Sequence, residues 1–219
     1  MKRIVALFVM GAAGVVMAQT SVSSRPEVEF SVANPKVEPA QYSLIIRQDG
    51  TGVYKATYTP SGDDSAAAPV DRSITVHDPV LSEIFAAAHK HRFFGINCED
   101  HHSKVAFTGT KTLAYSGPDG SGSCTFNYSR KKQINDIAAK LMAIETTLAI
   151  GSELAKEHRY DMLSLDSELA SLQEAVSNKQ ALEIQNIAPV LESIASDGAV
   201  MNSARARAEA LLREASMTR

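Results

Sequence analysis

Cys98 and Cys124 are the only cysteines in a chain of 219 residues, and their setting constrains the fold more than any other feature. The chain opens MKRIVALFVMGAAGVVMAQT. Lys2 and Arg3 make a short basic region, Ile4 to Val16 an apolar stretch too short for a bilayer, and Val16-Met17-Ala18 meets the small-residue rule for cleavage before Gln19. Residues 1–18 therefore read as an export signal peptide. No cysteine stands at the cleavage point, so no lipid anchor is expected there. Both thiols are expected in an oxidising compartment, a periplasm or the outside of the cell, where an even cysteine count pairs. A disulfide closing a loop of about 27 residues stabilises a fold by about 3 kcal/mol in the chain-entropy model.

That bridge bears on HKHRFFGINCEDHHSK, His89 to Lys104, which holds four of the six histidines, Cys98 and a Glu-Asp pair. Such a cluster invites a metal or catalytic reading. On a helix, however, His89 and His91 stand about 200° apart, and in extended chain His101 and His102 point to opposite faces. Neither pair is prearranged to chelate, and the cysteine spacing fits no zinc pattern. The segment reads first as a polar loop pinned by its disulfide. A site assembled from His91, Asp100 and His101 is the sharper alternative.

Without its leader the chain has enough residues for one ordinary domain or two small ones. Loss of Lys2 and Arg3 moves the formal charge from -3 to -5. A mildly acidic surface disfavours nucleic acid, whose phosphates demand clustered Lys and Arg, so none is expected as a partner. The most apolar later run, LMAIETTLAI, is interrupted by Glu145, so no membrane span is expected after signal cleavage.

Residues 19–39, rich in Ser, Val, Pro and Glu, read as a flexible lead-in. YSLIIRQDGTGVYKATYT then places two β-branched and aromatic runs around Asp49-Gly50, a strong hairpin signal with Tyr42, Leu44 and Ile46 on one face. Ser61 to Pro69 is a solvated loop. RSITVH, with Ile74 and Val76 on one side, reads as a strand. Asp78-Pro79 then opens a helix whose Leu81, Ile84, Phe85 and Ala88 form an apolar stripe. Strands are expected at Lys104 to Thr108, Lys111 to Ser116 and Ser123 to Tyr128, with a turn at Asp119-Gly120 that echoes Asp49-Gly50.

From Arg130 the period becomes helical, through Ile134, Ile137, Ala138, Leu141 and Leu148. Arg130-Lys131-Lys132 reads as a solvated turn. Asp166 is the expected N-cap of a second helix, Pro189 lies in the first turn of a third, and Gly198 follows its end. Arg205, Glu209 and Arg213 lace a last helix whose apolar side is Ala208, Leu211, Leu212 and Ala215. The expected fold class is α+β: an antiparallel sheet with a helix packed on one face (40–129), followed by a C-terminal α-helical bundle (130–219).

The stretch IAPVLESIASDGAVMNSARARAEALLREA resembles a single HEAT-type helical repeat. Asp49, Gly50, Tyr54, Phe93 and Phe94 resemble the hairpin and helix end of uncharacterised exported bacterial domains. The resemblance implies a secreted bacterial origin and no particular activity.

Ser, His and Asp are present in numbers that would allow many nucleophile-base-acid combinations, but G-x-S-x-G and H-E-x-x-H are absent. The glycines of Gly50-Thr51-Gly52 and Gly109-Thr110-Lys111-Thr112 match no nucleotide loop, and Asp49 and Asp119 start no EF-hand. Asn127-Tyr128-Ser129 matches the glycosylation sequon. No catalytic, cofactor-binding or metal residue is assigned, and the only site residues are the expected disulfide partners Cys98 and Cys124. The expected function is a non-enzymatic binding or scaffold module of the cell envelope, with another envelope protein as partner. The alternative is an envelope hydrolase or metal-binding protein using His89 to His102. The ligand and the oligomeric state are left open.

Overall fold

A computed structural model describes residues 25–58, 69–101 and 104–217. The expected signal peptide, most of the Ser61 to Pro69 loop and His102 lie outside the described residues. Six strands make one antiparallel sheet: β1 (Glu27–Ala33), β2 (Gln41–Arg47), β3 (Thr51–Thr57), β4 (Val70–Thr75), β5 (Thr110–Gly117) and β6 (Gly120–Phe126), in the order β4-β3-β2-β1-β5-β6. Helix α1 (Val80–Lys90) joins β4 to the second hairpin, and α2 (Lys132–Tyr160), α3 (Leu165–Ser177), α4 (Ala188–Ser196) and α5 (Asn202–Met217) follow β6. The chain is thus α+β, a strand-rich part followed by helices.

The sheet's central strand corrects the reading of 19–39 as a flexible lead-in. β1 pairs with β2 on one side and β5 on the other, and its Val28, Phe30 and Val32 are 0%, 0% and 6% exposed. Composition hid the strand, because the prolines and serines around it dilute a short alternation that becomes stable only between two partners. A second correction concerns Lys104 to Thr108, which has no regular structure. The side chain of Asn127 takes its backbone bonds instead, accepting from Thr108 N–H (2.9 Å) and donating to the Ala106 carbonyl (3.1 Å). A third concerns α3, which begins at Leu165, so Asp166 sits in its first turn and not at the N-cap. There the carboxylate pairs with the guanidinium of Arg207 at 3.0 Å.

One face of the sheet is apolar: Phe30, Leu44, Ile46, Tyr54, Leu113 and Phe126 are all buried. Helix α1 covers it with Ile84 and Phe85, and the first half of α2 with Ile134, Ile137, Leu141 and Ile144. A second core forms among the later helices, from Leu165, Leu169, Leu172, Leu191, Ile194 and Leu211, and α2 reaches it through Leu154. The composition change at Arg130 therefore crosses a packed layer, since α2 belongs to both cores. Its Gly151 marks the crossing: a single 3-10 turn (Ile184–Ile187) lies so close that a Cβ at Gly151 would stand 2.3 Å from Ile187 Cγ2.

The β4 edge of the sheet is engaged, and the inner face at β6 is covered by a tight turn. At β4, Asn186 copies a strand partner, its Oδ1 accepting from Thr75 N–H (2.8 Å) and its Nδ2 donating to the Thr75 carbonyl (2.9 Å). Beside it, the buried Glu183 accepts from His77 N–H (3.2 Å) and Gln185 Nε2 (2.5 Å) and lies 3.1 Å from His77 Nδ1. Over the inner face beside β6, the chain leaves α1 through Arg92, Phe93 and Phe94, all left-handed with φ of 53°, 58° and 63°. This turn presses on the second hairpin. The Phe93 ring stacks on Tyr115 with centroids 4.8 Å apart, and a Cβ at Gly122 would meet the Phe93 carbonyl at 2.7 Å and Gly95 N at 2.8 Å. The glycines after Asp119 are thus required by close backbone approach as well as by the turn.

Candidate binding surface

The face of the sheet opposite α1 and α2 carries no buried residue in any strand. Its composition follows from the alternation of each strand, and the registers bring the alternate residues into rows. One row runs Thr125, Thr112, Ser31, Ser43, Lys55, Asp71 from β6 to β4, and the next runs Ser123, Ala114, Glu29, Ile45, Val53, Ser73. Adjacent strands stand about 4.8 Å apart, so the first row is a file of four hydroxyls ending on a charge pair. Thr112 and Thr125 touch through their hydroxyls at 3.1 Å, and Lys55 lies 3.9 Å from Asp71. A shallow depression of about 250 Å³ opens among Glu29, Ser31, Gln41, Ser43 and Lys55. No aromatic side chain stands in these rows. The surface offers a small apolar pair, Ile45 and Val53, flanked by Glu29 and Ser73 in its own row and by Ser43 and Lys55 in the next, with Ala114 beyond Glu29.

The expected site residues lie elsewhere. Cys98 and Cys124 are joined, with Cα atoms 5.7 Å apart, and both are buried. The loop they close is held by more than the bridge. Asp100, its side chain 2% exposed, takes Arg130 Nε at 2.9 Å; Lys131 Nζ donates to the Asn97 carbonyl at 2.7 Å; and Glu99 accepts from Asn127 N–H at 2.6 Å. The basic run Arg130-Lys131-Lys132 is exposed, as expected of a solvated turn, and Arg130 and Lys131 also fasten this loop, while Lys132 pairs with Asp136 on its own helix. The sequon asparagine Asn127 is likewise spent on structure, and with it the amide a glycan would need.

The histidines disperse. His89 Nδ1 lies 3.5 Å from Asp119 and its ring packs against Phe93 and Tyr115, whereas His91 contacts Gln133 Oε1 at 3.2 Å. Among the described residues no three His, Cys, Asp or Glu side chains converge as a metal site requires.

Two further groupings were not anticipated. Glu145, on α2 under the sheet, is desolvated by burial, which raises its carboxyl from 4.5 to about 7, while a bond from the Tyr54 hydroxyl at 3.4 Å works in the other direction. Burial also raises the hydroxyls of Tyr42 and Tyr54, with the Glu145 charge adding to it. In the helical part, His158 at the end of α2 meets α4. Its Nε2 lies 2.9 Å from Asp197 Oδ2, and its Nδ1 lies 3.5 Å from Ser193 Oγ, in a cleft of about 440 Å³. Asp197 is held below its usual value first by the backbone N–H of Ala199 (2.8 Å) and then by His158.

The signal for the open face was present in the strands. Ser123 and Thr125 flank the buried Cys124, and Ser31 and Ser43 alternate with buried neighbours, where solvent-facing strand positions would tolerate any polar residue. The convergence of residues 158, 193 and 197 left no such trace, because it depends on how two helices pack. Compared with protein-family models and with curated proteins, the chain matches none.

Proposed function

We propose that the chain is an exported binding module of the cell envelope and that the open face of its sheet receives a protein partner. The observation supporting this reading is a six-stranded face, rich in Ser, Thr, Ile, Val and Ala with Glu29, Lys55 and Asp71 among them, that no described element covers. Covering a long charged side chain costs about 1.5 to 2 kcal/mol in rotamer freedom, and charged groups must also be desolvated. Short hydroxyl and β-branched side chains lose far less, so the stretch around Ser31, Ser43, Ile45 and Val53 is cheap to bury, while Glu29, Lys55 and Asp71 call for complementary charge on the partner. Its apolar centre with a polar border matches the anatomy of protein interfaces. A face without aromatic rings lacks the stacking platform that nucleic bases use. Export is supported by the paired cysteines and by the leader-like first residues. No helix among the described residues is long and apolar enough to cross a membrane. The α4-α5 pair, read as a HEAT-type unit, completes the module as a support for α2.

The test is native capture of partners from envelope extract on immobilised protein, followed by cross-linking to map the contact. Capture by the native chain should be lost in Ile45→Glu and Val53→Arg and retained in Arg213→Glu on α5. Absence of any partner, or equal capture by the sheet-face variants, overturns the reading.

A further inference from the structure

We propose that Ser193, His158 and Asp197 form a nucleophile, base and positioning acid able to cleave small carboxylic esters, an activity separate from the sheet-face binding. The three come from two helix ends. Ser193 and Asp197 stand four residues apart on one face of α4 and its C-cap, and His158 reaches them from the last turn of α2. A carboxylate can only accept, so the 2.9 Å contact with Asp197 places a proton on Nε2, and in the neutral ring Nδ1 is then an acceptor facing the Ser193 hydroxyl. That is the tautomer a general base needs. The 3.5 Å separation is long, as such contacts are before substrate draws them together.

A purely architectural role explains the His158–Asp197 pair, which ties two helix ends, but not the free ring nitrogen turned toward an exposed hydroxyl at an open cleft. The imidazole is mostly enclosed, its side chain 19% exposed. The cleft walls are Ala155, Pro189 and Val190, which suit a short acyl chain, and Arg159 lines the same cleft, where its cation can meet negative charge developing on a carbonyl oxygen.

In the step proposed, Ser193 Oγ bonds to the carbonyl carbon while its proton passes to His158 Nδ1. The ester C–O bond then breaks, and the leaving alcohol takes that proton. Water next attacks the acyl-serine, giving its proton to the same nitrogen, and the acid departs as Ser193 recovers its hydrogen. Asp197 holds the ring in register and balances its transient positive charge.

The test uses the full chain and an alkyl fluorophosphonate, which bonds to an activated serine oxygen with loss of fluoride. Intact mass and peptide mapping should find one adduct on Ser193, absent in Ser193→Ala, a variant that removes a single exposed oxygen and should keep the native unfolding temperature. His158→Gln should slow labelling by about 100-fold or more. Asp197→Asn should lower the maximal labelling rate while leaving the half-saturating probe concentration unchanged, a split that loss of a helix tie alone would not produce. No adduct on Ser193, or labelling equally fast in His158→Gln, overturns the proposal.

Discussion

At the scale of single residues, burial decides which groups carry consequences. Glu145 is charged in the unfolded chain above about 4.5 but in the folded protein only above about 7. Between those values the folded state holds the extra proton, so the stability this group confers is greatest at the acid end and falls as pH rises through 7. Glu145→Gln should therefore flatten the pH dependence of unfolding over that interval and raise stability above pH 7 by about 1 to 3 kcal/mol, as read from urea titrations at several pH values. The glycines give the converse case. Gly122→Ala pushes a methyl against the backbone of Phe93 and Gly95, which cannot yield as a side chain can. The expected loss is about 2 to 4 kcal/mol by chemical denaturation, against a few tenths for an exposed turn glycine.

At the scale of elements, the disulfide is one tie among several on the Cys98 loop. Reduction should cost about 2 to 4 kcal/mol. The fold should nevertheless persist at room temperature, because Asp100–Arg130, Glu99–Asn127 and Lys131–Asn97 remain. Circular dichroism melts with and without reductant measure this, and thiol titration of unreduced protein should find no free sulfhydryl. What could be read from the chain alone follows from range. The hairpin at Asp49-Gly50, the stripe of α1 and the position of Pro189 in α4 are governed by neighbours within a few residues, and the alternation or period records them. β1 was missed because its stability comes from strands on either side, and Lys104 to Thr108 was misassigned because the distant Asn127 outcompetes a ladder for its backbone bonds. The hydroxyl-paved face was legible in principle, since alternation exposes both faces of every strand. The meeting of His158 with α4 was not, because it needs the crossing of two helices to be known.

At the scale of the whole molecule, α2 makes the sheet and the helices one mechanical body. The joint is reinforced where Asn186 completes β4, where Arg72 Nη2 donates to Ser152 Oγ at 3.2 Å, and where the Thr147 hydroxyl donates to the Leu182 carbonyl at 2.7 Å. The chain should unfold in a single transition by both far-ultraviolet circular dichroism and tyrosine absorbance. Asn186→Ala should lower its midpoint by an amount equivalent to about 1 to 3 kcal/mol, since Thr75 loses its partners. Gly151→Leu, which drives a large group into Ile187, should instead separate the two signals.

The blunted β4 border of the sheet has a consequence for behaviour in a crowded compartment. A six-stranded ribbon with two bare margins would recruit further strands and grow into fibres. Here the Asn186 amide already occupies the end of one flank, so on that side an incoming strand meets a partner in place and the molecule can offer its broad polar plane to a stranger without zipping onto its own kind there.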